Sequence, residues 1–141
     1  MKKLALFLLI IVMTSMIVTA SEDTKFINAL KTCSAFSENG QVKADGQNAA
    51  SSKQILGWKN DKCVYKEKIN YSGIDIDVTC SFTKDQIKEL SSVMGAYDLL
   101  QQYSKDDMNI ESVEQVQNNP VVKAWNKYLQ NPEVCTIGGL E

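Results

Sequence analysis

Residues 53–82, KQILGWKNDKCVYKEKINYSGIDIDVTCSF, decide the fold. They read as three antiparallel strands over 53–58, 62–69 and 74–82. Asn60-Asp61 and Tyr71-Ser72 sit at the two turns, the second flanked by Asn70 and Gly73. Centring the second turn on Tyr71-Ser72 sets Cys63 against Cys80, Tyr65 against Val78, Glu67 against Ile76 and Ile69 against Ile74. On the opposite face Lys66 then meets Asp77 and Lys68 meets Asp75, so one register gives an apolar ladder and opposite-charge pairs together. The first turn sets Trp58 against Cys63 and Leu56 against Tyr65. Both hairpins thus agree on one buried face of Leu56, Trp58, Cys63, Tyr65, Ile69, Ile74, Ile76, Val78 and Cys80. Glu67 is the one charged residue on that face, and is expected near the sheet rim with its carboxylate in water.

Upstream, Phe26, Ile27, Leu30 and Cys33 recur on one helical face, which predicts a helix over 23–36 capped by Asp23 or Thr24. Residues 37–52 are small and polar, with Gly40 and Gly46, and read as a mobile loop that cannot anchor a core. Downstream, Thr83-Lys84-Asp85-Gln86 matches a capping box, with Phe82 and Ile87 placed as its hydrophobic staple. Ile87, Leu90, Met94, Tyr97 and Leu100 carry that helix to about Ser104. A short weak helix is predicted over 110–117. Asn119-Pro120 then supplies a cap and first helical residue for a stripe of Val121, Ala124, Trp125, Tyr128 and Leu129. Asn131-Pro132 stops this helix and leaves a tail. The expected fold class is α+β: an N-terminal helix, a three-stranded antiparallel meander, and two to three C-terminal helices on one sheet face.

The chain begins with Lys2-Lys3, an apolar run from Leu4, and Val18-Thr19-Ala20 before a polar stretch. This is the pattern of a secretory signal peptide over 1–20, of bacterial type. Removing 20 of the 141 residues leaves 121, expected to form a single small domain over 21–141. Its charge is 13 Lys against 17 acids, a net of −4, and the expectation is an exported protein, periplasmic or extracellular, with no stable membrane insertion after cleavage. The four Cys are then expected in two disulfides. The hairpin register favours Cys63–Cys80, which leaves Cys33–Cys135; Cys33 reaching Cys63 or Cys80 across a helix–sheet contact is the competing arrangement.

Composition excludes much. There is no His, and every one of the 15 basic residues is Lys. That removes His general bases, Ser-His and Cys-His nucleophile pairs and His-ligated zinc, together with any guanidinium clamp on phosphate or guanine. A net charge of −2 offers no footprint for nucleic acid. The Cys spacings hold no close ligand pair and no C-x-x-C, so neither a metal nor a redox cofactor is expected. Asp75 and Asp77 share a strand face, and Asp106-Asp107 with Asn109 and Glu111 is oxygen-rich, but both read as solvated surface rather than calcium sites. Ser81 and Lys84 form the S-x-x-K pattern only across a strand-to-helix junction already explained by capping. Asn70-Tyr71-Ser72 is a glycosylation sequon only in a eukaryotic pathway. Trp125 and Tyr128 are the candidate partner-binding residues if they face outward from the last helix.

The expected function is that of a non-enzymatic exported binding, accessory or inhibitor-like module with an unknown protein or small ligand. The competing class is a hydrolase built on Glu67, Asp75 and Asp77. Two carboxylates converging in a concave pocket would favour the enzyme.

Overall fold

The computed structural model describes residues 20–44, 47–103 and 118–139. In chain order they form α1 (Ala20–Thr32), β1 (Phe36–Ala44), β2 (Gln47–Lys59), β3 (Lys62–Tyr71), β4 (Ile74–Phe82), α2 (Lys84–Tyr103), α3 (Pro120–Leu129) and β5 (Cys135–Gly138). The expected signal peptide (but for Ala20), the helix over 110–117 and the Asp106-Asp107 loop lie outside the described residues.

The α+β class holds, but the sheet has five antiparallel strands in the order β1-β2-β3-β4-β5, not three. One extra pair of strand segments comes from residues 37–52, expected to be loop. Phe36 pairs with Ile55 and the ladder runs unbroken to Ala44 against Gln47. Small polar residues suffice there because the neighbouring strand supplies backbone partners and fixes which side chains turn inward. Ala49 and Ser51 are consequently buried, although nothing in this stretch was expected to reach a core. The expected C-terminal tail supplies the fifth strand, pairing Cys135 with Cys80.

The β3–β4 turn is Ser72-Gly73 and not Tyr71-Ser72, because Tyr71 pairs with Ile74. Both turn residues have positive φ (50° and 80°), as a two-residue hairpin with right-handed strand twist requires. Moving the turn by one residue shifts every partner by two. Face parity therefore survives while the partners change. Cys63 opposes Phe82, Tyr65 opposes Cys80, Lys68 opposes Asp77 and Asn70 opposes Asp75. Cys63, Tyr65, Ile69, Ile76, Val78 and Cys80 are buried as expected; Leu56, Trp58 and Ile74 are exposed. Leu56 leaves the ladder because a bulge between Ile55 and Gly57 sets Ile55, not Leu56, against Tyr65.

This register also overturns the disulfide pairing. The bonds are Cys33–Cys63 and Cys80–Cys135, with Cα separations of 5.8 and 4.1 Å. Cys63 is no longer opposite Cys80, so it is free to meet Cys33 at the end of α1, while Cys80 faces Cys135 directly across β4 and β5. Helix α1 runs Ala20–Thr32, starting earlier than Asp23 and ending before Phe36. Cys33 takes a left-handed conformation (φ 52°), and Ser34 N donates to Ala29 O, which closes the helix and turns the chain into β1.

The helical boundaries after the sheet follow their local signals. Thr83 N donates to Gln86 Oε1 at 2.9 Å and Gln86 N donates to Thr83 Oγ1 at 3.3 Å, completing the capping box. Asn119 Oδ1 accepts from Val121 N and Val122 N at the start of α3. A line of aromatic contacts runs through the core: Phe36 to Phe26, Phe26 to Tyr65, Tyr65 to Trp125, Trp125 to Phe82, and Phe82 to Tyr128, with centroids 5.3–5.9 Å apart. It joins α1, the inner sheet face and α3, leaving the outer sheet face polar.

Candidate functional site

Three places on the described residues concentrate polar or exposed apolar side chains. The first is a row on the inner sheet face. Register places Glu38 of β1 beside Lys53 of β2, and Lys53 beside Glu67 of β3. Glu67 is only 1% exposed, so the expected rim position is wrong: the added strands put β3 at the centre of the sheet. The Tyr65 hydroxyl donates to Glu67 Oε2 at 2.8 Å. Lys53 Nζ stands 5.5 Å from the centroid of the Phe26 ring. Burial first, then the charge of Glu67, the bond to it and the charge of Glu38, pushes the Tyr65 phenol well above its ordinary range. Tyr65, Glu67 and Lys53 are thus buried on the inner face, with Glu38 half-buried at its edge.

The second place is a hollow of about 450 Å³ on the outer sheet face. Ala50 and Ser52 of β2 line it with short side chains, and Gly40 of β1 adds bare backbone. Asn39 and Gln41 stand on one side, and Lys68, Asn70, Asp75 and Asp77 on the other. Strand alternation explains this set, since every second residue of four adjacent strands points the same way. Asn70 Nδ2 donates to Asp75 Oδ1 at 2.6 Å, and Lys68 Nζ lies 3.7 Å from Asp77 Oδ1. Sequence reading found the Lys–Asp face but not the hollow, half of which comes from the segment taken for a loop. Its one available signal was that segment's short polar residues.

The third place is the β2–β3 hairpin end, where Trp58 (41%) and Leu56 (38%) are exposed and Lys84 Nζ stands 6.0 Å from the Trp58 ring centroid. By contrast, Trp125 is wholly buried and Tyr128 nearly so, which corrects the idea that they form an outward patch. Trp125 closes the aromatic core, and Tyr128 donates its hydroxyl to Glu89 Oε2 across to α2. Lys127 Nζ adds an ion pair to Glu89 at 3.1 Å. The Tyr128 hydroxyl first, and then Lys127, holds the Glu89 carboxyl below its usual range.

Among the described residues no group of three or more His, Cys, Asp or Glu is placed to hold a metal ion, and all four cysteines are in disulfides. No helix among the described residues is long and apolar enough to cross a membrane. No protein-family model, curated protein or solved structure matches the chain.

Proposed function

We propose that this is an exported, disulfide-stabilised binding or accessory domain without catalytic activity, whose ligand face is the outer side of the sheet. The position of the carboxylates carries this reading. Glu67 is sealed under α1 against Tyr65, while Asp75 and Asp77 stand on the open face, one bonded to Asn70 and the other beside Lys68. A carboxylate hydrolase needs two such groups converging on one substrate position, with one environment that favours its acid form. The hollow instead offers mixed donors and acceptors over short floor residues, which suits recognition of a polar ligand. Export is supported by the N-terminal pattern and by two disulfides, which persist in oxidising compartments.

Affinity capture from the native envelope tests this, comparing the wild-type protein with an Ala50→Gln variant that fills the hollow. The expected outcome is a component retained by the wild type and lost by the variant. Equal retention, or none by either, overturns the assignment of this face.

A further inference from the structure

We propose that the β2–β3 hairpin end docks the protein onto an anionic lipid surface, with Trp58 and Leu56 entering the headgroup region and lysines meeting the phosphates. Both apolar side chains are exposed at one end of the sheet, beside the bulge that takes Leu56 out of the core ladder. Gly57 in that bulge has φ 90°, and a side chain there would point at the Cys33 carbonyl at the end of α1. The Cys33–Cys63 bond ties the β3 side of the hairpin to the end of α1.

Charge identifies the occupant. Lys59 and Lys62 are directly paired across the two-residue turn, a like-charge contact from which the fold gains nothing. Lys84 sits over the Trp58 ring, and Lys88 follows one turn later on the same helix face. Lys84 thus lies on the Trp58 side, while Lys59 and Lys62, one position further along each strand, turn to the other face, so lysines bracket the hairpin end of a chain whose net charge is −2. The acids nearby in sequence are Asp61 in the turn, Asp85, which lies in the first turn of α2 and complements that helix end, and Glu89, which is taken up by Tyr128 and Lys127. An indole flanked by lysines fits the interface of an anionic bilayer: the ring is at home at headgroup depth, and long lysine stems reach the phosphates. The absence of Arg fits a diffuse anionic surface better than a discrete bidentate phosphate site.

This proposal rests on the exported reading for where the protein meets such a surface, and not on the hollow. The test uses protein purified from the exported fraction, with vesicles of phosphatidylglycerol or phosphatidylcholine carrying brominated lipid. Trp58 and Trp125 are the two tryptophans, and Trp125 is buried, so lipid quenching reports Trp58 whatever the rest of the chain does. The expected result is quenching and a blue shift with phosphatidylglycerol alone, weakened by salt. Lys59→Gln with Lys62→Gln lowers affinity by about fivefold per lysine, and Trp58→Ala, which removes the reporter and is therefore read by vesicle co-sedimentation beside the wild type, lowers it by about tenfold. Equal binding to both lipids, or no quenching in phosphatidylglycerol, overturns the proposal, as does binding only to soluble glycerol phosphate or an anionic polymer. The Ala50→Gln variant is expected to bind vesicles like the wild type, so failure of the capture test and failure here are separable.

Discussion

At the scale of single residues, the centre of the molecule depends on one hydroxyl. Tyr65 donates to a carboxylate with almost no exposure, and that carboxylate's residue, Glu67, lies beside Lys53 on the core face of the sheet. Tyr65→Phe keeps the ring contacts with Phe26 and Trp125 but leaves Glu67 short of a donor. The expected cost is about 1–3 kcal/mol, read from chemical denaturation at neutral pH. The same phenol predicts a limit on alkaline stability. Its folded-state pKa is raised, so its contribution is full below the ordinary tyrosine value near pH 10. It is lost as pH rises beyond that, when the unfolded chain releases a proton that the folded chain still holds. Denaturation midpoints between pH 8 and 11 are expected to fall more steeply for the wild type than for Tyr65→Phe.

At the scale of elements, α3 is tied down by its cap and by Glu89. Asn119 accepts two backbone donors at the start of α3, and Asn119→Ala is expected to cost about 1 kcal/mol in thermal or chemical unfolding. At the other end, Glu89 holds both Tyr128 and Lys127. Its pKa is depressed, so the tie contributes above the unfolded carboxyl value and is lost as pH falls through the lower folded value. The effect is small because Glu89 and Lys127 are largely solvated. Glu89→Gln is expected to flatten the acid limb of stability between pH 5 and 3. A variant that keeps the wild-type acid slope would remove this tie as a cause. The caps of α2 and α3 were legible from sequence because each is a contract among residues within one helical turn. The ends of α1 were not, because Cys33 takes its conformation where the chain must turn into β1 and bond to Cys63.

At the scale of the whole molecule, the two disulfides fasten different parts to the central strands. Cys33–Cys63 spans 30 residues and holds α1 to β3, while Cys80–Cys135 spans 55 and holds β5 to β4. In chain-entropy terms these are worth about 3.6 and 4.2 kcal/mol as upper guides. Hydrogen exchange is expected to separate them. Cys33→Ser with Cys63→Ser exposes α1 amides first, and Cys80→Ser with Cys135→Ser exposes those of β5 and the adjoining edge of β4. Uniform loss of protection in both double variants would show one cooperative unit in place of two fastened parts.

The sequence by itself determined the α+β class, the hairpins at the centre of the sheet, which side of β3 and β4 faces inward, and both helical caps. All of these rest on alternation or on contacts a few residues apart, and alternation survives a two-residue error in register. Only the tertiary structure decided the disulfide partners, the burial of Glu67, and the strands made from residues 37–52 and from the tail. Each depends on a neighbour distant in the chain: β2 recruits β1 and Cys135 meets Cys80, with no local pattern to announce either. The outer hollow belongs to the same class, since four strands must lie side by side before their short and long polar residues form one surface.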